Sequence, residues 1–199
     1  MFDRTPLRRS HALAFAIAAA FWAAALDGAG AQSLQERLQV CGTCHGEQGN
    51  SLMEKTPSLA GQPELFLTNQ LILMRDRIRL SEVMAPFAKG LTDAQIVELA
   101  AHYSKLPPEK SAEPVNQALV PRGEALAKAL RCGICHLPDY AGGEQIPRLA
   151  RQRIDYTIES LLAYRDGRRY GIDTSMNGVM VGVPDPDIRA LAHYLASVP

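Results

Sequence analysis

Two pentapeptides carry the residues best suited to chemistry: Cys41-Gly-Thr-Cys-His45 and Cys132-Gly-Ile-Cys-His136, offset by 91 residues. Each is C-x-x-C-H, the pattern of covalent haem c attachment. Two thiols add across the haem vinyl groups, and the histidine that follows is placed to bind iron from the proximal side. The competing readings fit less well. A thiol redox motif wants a βαβ setting, which neither copy has, and a zinc ribbon wants its two C-x-x-C pairs far closer together. Ordinary disulfides would not require a histidine after each pair. The chain has four cysteines, Cys41, Cys44, Cys132 and Cys135, and these two motifs use them all.

Iron bound on one side by histidine needs a sixth ligand or an open position. A methionine there raises the reduction potential and closes the metal to chemistry. The chain repeats internally, and the repeat is the means of searching for that ligand. Pro57-Ser-Leu-Ala-Gly-Gln62 returns as Pro147-Arg-Leu-Ala-Arg-Gln152. Aligning Ile96 with Ile188 and Leu99 with Leu191 puts Met84 on Met176, an offset of 92. Met180 falls on Ala88 and is the runner-up to Met176. Met53 and Met74 read as filler. Two histidine ligands per iron would need His102 and His193, but His102 aligns with Tyr194 and not with His193, so the two do not share a slot.

The elements that must position these residues read as helices. Leu34–Val40 leads into the first motif and Gly123–Arg131 into the second. After each P-x-L-A-x-Q segment comes an amphipathic stretch: Glu64 to about Ile78, with Pro63 as a good first helical residue, and a second carrying Ile154, Ile158, Leu161 and Leu162 at helical spacing. The last helix of the first half opens on a capping box, Thr92 to Gln95, and presents Ile96, Leu99, Ala100 and Tyr103. That of the second half opens with Asp185 as N-cap and Pro186 as first helical residue, presenting Ile188, Leu191, Ala192 and Leu195. The methionine stretch Ser175–Gly182 reads as a loop. No strand alternation stands out. The reading is all-α: residues 32–106, a proline-rich linker at 107–121, and residues 122–199. Each half has about three helices, a small core that a covalent haem would complete.

The N-terminus reads as a signal peptide, residues 1–31. Arg4, Arg8 and Arg9 precede an apolar run from Ala12 to Leu26, and Ala29-Gly30-Ala31 offers a cleavage site. The expected product is periplasmic and soluble, with at most peripheral membrane contact. Of 21 basic and 21 acidic side chains, 18 and 19 lie beyond residue 31. That balance argues against nucleic acid as a partner. Residues 32–106 hold 7 basic and 8 acidic groups and residues 122–199 hold 10 and 9, too even to name a partner. Arg165, Arg168 and Arg169 form a local basic cluster, read as solvated or facing haem propionates, with a docking patch as the alternative.

CGTCHG, PSLAGQ and MAPFAKGLTDAQIVELA, with CGICH, PRLARQ and MNGVMVGVPDPDIRALAHYLA, resemble the cytochrome c4 family of dihaem periplasmic cytochromes over essentially the whole chain beyond residue 31. The resemblance implies two tandem class I cytochrome c domains, two covalently bound haem c groups and electron transport to redox partners such as a terminal oxidase. It implies His45 and Met84 as ligands of the first iron and His136 and Met176 of the second. It places Pro57 and Pro147 where a backbone carbonyl accepts the proximal histidine's ring N–H. Arg151 and the Val183-Pro184-Asp185 turn depart from the family pattern, as does the insert between His136 and Pro147. The alternatives are a haem enzyme with one open iron, of peroxidase or thiosulfate-oxidising type, and the cytochrome subunit of a dehydrogenase.

Overall fold

The computed structural model describes Met1 and residues 32–199; apart from Met1, the expected signal peptide lies outside the described residues. Nine helices are described: α1 (Leu34–His45), α2 (Glu64–Arg75), α3 (Ala85–Ala88), α4 (Asp93–Ser104), α5 (Val120–Ala129), α6 (Cys132–Cys135), α7 (Ile154–Arg165), α8 (Ser175–Met180) and α9 (Asp185–Ser197). There is no strand among the described residues, only an isolated bridge between Gly143 and Ile146. Leu34–Pro199 forms one compact unit.

The first haem motif lies inside its helix, because α1 runs unbroken to His45. The second does not. Arg131 adopts φ +57°, ends the preceding turn, and leaves CGIC as the separate one-turn helix α6. Helix α5 starts at Val120, three residues before the expected Gly123, so the irregular connection ends at Leu119. Its partner is α9. They cross so closely at Gly123 that a Cβ there would overlap Ala190 O and Tyr194 Cβ. Any larger residue would push the two helices apart.

Helix α4 begins as expected. The Thr92 hydroxyl accepts from Gln95 N–H at 3.3 Å, and the Gln95 side chain accepts from Thr92 N–H at 3.0 Å. Two N-terminal expectations shift by one residue. Pro184, not Asp185, is the N-cap of α9, which puts Asp185 and Pro186 in the first turn. Pro63 is the N-cap of α2 rather than its first helical residue. In each case proline's fixed φ already suits the helix start, and its extended ψ (153° and 136°) sets the entry of the chain. The methionine stretch of the second half is not a loop either: Ser175–Met180 is the helix α8.

The core sits under the two C-terminal helices. In the second half, Leu161, Met180, Val183, Ile188, Leu191 and Leu195 form one buried cluster with Ala127 and Tyr140. In the first half, Leu67, Ala100 and Tyr103 form one cluster and Leu91, Ile96 and Leu99 another, and Cys41 packs against both. Each fully buried aliphatic side chain of this kind contributes about 1.5–3 kcal/mol relative to exposure.

The departures of the second half turn out to preserve the backbone. Arg151 takes φ +60° where Gly61 takes +64°. The turn is pinned alike in both, Gly61 N–H to Tyr103 O and Arg151 N–H to Leu195 O. The insert also ends in the same pairing: Leu59 and Ala60 N–H donate to Gly49 O, and Leu149 and Ala150 N–H donate to Tyr140 O. Tyr140 thus occupies Gly49's left-handed slot, at φ +56°. In the first half Tyr103 packs over Gly49. In the second half the smaller Leu195 stands at that helix position, and the Tyr140 ring joins its cluster.

Candidate haem-binding sites

His45 and His136 are 6% and 5% exposed. Each ring Nδ1 lies 2.8 Å from a carbonyl, Pro57 O and Pro147 O respectively. A carbonyl only accepts, so Nδ1 carries the hydrogen and Nε2 keeps its lone pair for a metal. Burial pushes both imidazoles below their ordinary pKa, against the opposing pull of the carbonyl bond. Both are therefore neutral, the form that binds iron. The thiols of all four cysteines are free; burial raises the pKa of Cys41 and Cys132, while Cys135 is exposed.

The methionines are placed by two matching turns. Leu91 N–H donates to Ala88 O, and Val183 N–H donates to Met180 O. Arg75 Nη1 donates to Leu91 O at 3.2 Å and Asp93 at 2.6 Å. Arg165 Nη1 does the same to Val183 O at 3.1 Å and Asp185 at 2.5 Å. Ala88 and Met180 are therefore equivalent, and both are buried, at 0% and 2% exposure. One helical turn earlier come Met84 and Met176, both only partly buried. Met176 and Cys132 pack against the same apolar cluster, while Met180 is inside it.

His102 and His193 have their own neighbours in the first half and the connection. The His102 ring meets Tyr103 edge-on, 5.2 Å between centroids. His193 Nδ1 accepts from Asn116 N–H at 3.1 Å and ties the connection to α9. The basic cluster also divides. Arg165 pairs with Asp166 and Asp185, and Arg168 with Glu159 and Asp166. Arg169 instead turns inward to Tyr156 Oη (3.2 Å), Ser160 Oγ (2.8 Å) and the face of the Tyr164 ring.

Sequence reasoning missed what Arg169 meets there. Arg79, from the first half, bonds Gln70 Oε1 at 2.5 Å and reaches the same Tyr156 hydroxyl at 3.4 Å. Gln70 and Ser160 are repeat equivalents, as are Arg79 and Arg169. Among the described residues neither guanidinium has a carboxylate partner, and Arg169 Nε is buried with no acceptor. Burial alone would raise the Tyr156 pKa, but Arg169 and Arg79 reverse it and pull it down to about 7. Two guanidiniums that meet at one phenol make a cationic site whose charge would suit the carboxylates of haem. Asn177 was also missed. It follows Met176 and holds α8 by donating to Tyr164 O (2.7 Å) and Arg169 O (2.9 Å).

Two neutral, buried histidines, each following a pair of free thiols on a helical scaffold, fit a dihaem c-type cytochrome, a carrier of electrons. The cytochrome c family model matches residues 120–199. A cytochrome c4 of Thiocapsa roseopersicina is 35% identical over 167 residues, 78% of this chain and 85% of that protein. A protein of Thiomonas intermedia named thiosulfate dehydrogenase electron acceptor is 36% identical over 205 residues, covering 98% of this chain and 93% of its own. The crystal structure of reduced cytochrome c4 from Pseudomonas stutzeri superposes with a TM-score of 0.77 at 28% identity, covering 85% of this chain and all of that one. The chain belongs to the cytochrome c4 family, and its cofactors are two covalently bound haem c groups. No helix among the described residues is long and apolar enough to cross a membrane.

Proposed function

We propose that this chain is a periplasmic shuttle whose halves, 32–106 and 122–199, each hold one haem c with histidine and methionine ligands: His45 and Met84 in the first, His136 and Met176 in the second. The observation that carries this reading is the repetition of one ligand geometry. Both histidines give Nδ1–H to a proline carbonyl at 2.8 Å, and both methionines stand one turn before equivalent buried residues. Bound haem supplies a one-electron Fe(II)/Fe(III) couple. The protein's share is to orient and tune. Cys41, Cys44, Cys132 and Cys135 anchor by thioether bonds, and the Pro57 and Pro147 carbonyls fix tautomer and ring angle. The Met84 and Met176 sulfurs would ligate the irons, favour Fe(II) and keep substrates off the metal. Arg79 and Arg169, joined through Tyr156, would neutralise haem carboxylates.

The partner reading is a sulfur-oxidising dehydrogenase as electron donor and a terminal oxidase as acceptor. Its support is the Thiomonas relative, matched end to end and named as a thiosulfate dehydrogenase electron acceptor. Apolar side chains stand exposed beside each methionine, Val83 and Phe87 near Met84 and Val179 and Val181 near Met176. Such patches suit brief docking with a redox partner.

The test is a spectroelectrochemical titration of the holoprotein. Two low-spin haems at positive potential, both with the weak red ferric band of methionine ligation, are expected. Met84→Ala and Met176→Ala should each remove one haem's share of that band. A high-spin component in the parent, or rapid carbon monoxide binding to the reduced parent, overturns the ligand set. Failure of a purified thiosulfate dehydrogenase to reduce the protein overturns the donor.

A further inference from the structure

The proline carbonyls that hold the two histidines belong to peptide groups whose N–H ends are also engaged, and from the opposite half. The peptide between Pro57 and Ser58 accepts from His45 Nδ1–H at its oxygen and donates its Ser58 N–H to Gln152 Oε1 at 2.8 Å. Gln152 completes the pairing by donating Nε2–H to Ser58 O at 2.9 Å. The peptide between Pro147 and Arg148 accepts from His136 and donates its N–H to Gln62 Oε1 at 3.0 Å. Gln62 Nε2–H returns to Arg148 O at 2.9 Å. All four residues are buried: Ser58 at 6%, Gln62 at 3%, Arg148 at 5% and Gln152 at 5% exposure. The two arrangements are repeat equivalents, crossed between the halves.

We infer that Gln62 and Gln152 are reciprocal tuning residues, each setting the reduction potential of the haem in the other half through the peptide that orients that half's histidine. The inference rests on His45 and His136 being iron ligands.

The physical chain is short. A peptide's carbonyl and N–H share one delocalised system. An acceptor at the N–H pushes electron density onto the oxygen, so successive hydrogen bonds strengthen one another. A more negative Pro57 or Pro147 oxygen pulls harder on the histidine Nδ1–H. The imidazole then becomes a more basic ligand, which favours Fe(III) and lowers the potential. These bonds are shielded from water, where their electrostatic effect is largest. The arrangement is slightly unequal, because Gln152 Oε1 also accepts from Arg153 N–H at 2.9 Å while, among the described residues, Gln62 Oε1 accepts from the Arg148 N–H alone. Domain contact and haem tuning are thus one device: pulling the halves apart relaxes both histidines.

The test is crossed substitution in the haem-loaded protein. Gln62→Met and Gln152→Met keep side-chain volume and remove the accepting oxygen. Each haem is followed separately by the methyl signal of its axial methionine in NMR, titrated against applied potential. At a fixed potential Gln62→Met should raise the reduced-to-oxidised ratio of the His136 haem a few-fold and leave the His45 haem near the parent value. Gln152→Met should do the reverse. Gln62→Glu, which keeps the accepting oxygen and adds charge to it, should shift the His136 haem in the opposite direction. Amide hydrogen exchange gives a readout independent of iron: Arg148 N–H should speed up in Gln62→Met, and Ser58 N–H in Gln152→Met. A shift confined to the haem of the substituted half overturns the inference, as does an equal shift of both haems, which would mark a loosened interface. A parent lacking histidine ligation at either iron overturns the ligand reading and this inference together. A parent with both ligations and variants without the crossed pattern overturns the inference alone.

Discussion

Truncating Met180 and Met176 to alanine separates packing from ligation within one short helix. Met180 is 2% exposed and touches the cluster of Leu161, Val183, Ile188 and Leu191. Removing its side chain leaves a cavity in a core that can collapse only in part, which costs about 2–4 kcal/mol. The first half has Ala88 at that place, buried and tightly surrounded, so the backbone tolerates alanine there. Met176 is only partly buried, and its loss should cost at most about 1 kcal/mol of protein packing on the same scale. Its effect should be on the iron. In denaturant unfolding of the holoprotein, Met180→Ala should lose about 3 kcal/mol and keep the ferric methionine band of both haems. Met176→Ala should lose half of that band, lower one potential and add a high-spin or water-ligated haem. If Met180→Ala is the variant that loses the band, the equivalence of Ala88 with Met180 is wrong and the ligand lies one turn later.

Further expectations come from the interface and the turns. Arg153 is 4% exposed and pairs with Asp155 at 2.8 Å, and Asp155 also accepts from Lys55 N–H of the first half at 2.8 Å. Burial would raise the Asp155 pKa, but these bonds and that from Tyr156 N–H hold it below the usual carboxylate value. A depressed folded pKa stabilises above the unfolded value of about 3.9, and that contribution is lost as pH falls below it. Acid unfolding below about pH 4 should therefore be blunted in Asp155→Asn, which is already weaker at neutral pH. Gly61→Ala should destabilise by about 1–2 kcal/mol, since a Cβ at φ +64° would lie 3.0 Å from Pro108 Cδ. Arg151→Gly should change unfolding stability by less than about 1 kcal/mol, because relief of left-handed strain offsets the lost 2.9 Å bond to Pro108 O. Arg165→Met, which frees Val183 O and Asp185, should let added imidazole displace the second haem's methionine at lower concentration than in the parent, read from the visible spectrum.

Much of the site was legible because haem attachment is a local, covalent pattern and the repeat supplied an internal alignment. The helix faces around Ile96 and Ile188 were readable for the same kind of reason, since burial on one face enforces helical spacing. Gln62 and Gln152 stood in plain view as part of a repeated segment. Their role was not readable, because their partners lie 86 and 94 residues away in sequence. Tyr156 has Phe66 as its repeat equivalent, so the repeat itself hid a phenol that serves two arginines. The arginine cluster divides because sequence neighbours on a turn point in different directions: Arg165 and Arg168 pair with carboxylates, and Arg169 turns inward.

The sequence by itself determined two haem attachments, two histidines, the helical class and a short choice of methionines. Those follow from spacing within a few residues, where chain connectivity leaves little freedom. Tertiary structure decided that Met180 is core while Met176 stays partly buried, because burial depends on what packs from elsewhere. It also decided that the halves are joined through the very peptides that hold the histidines. A hydrogen bond between distant segments leaves no periodicity in the chain, and only folding brings its two ends to 2.8 Å.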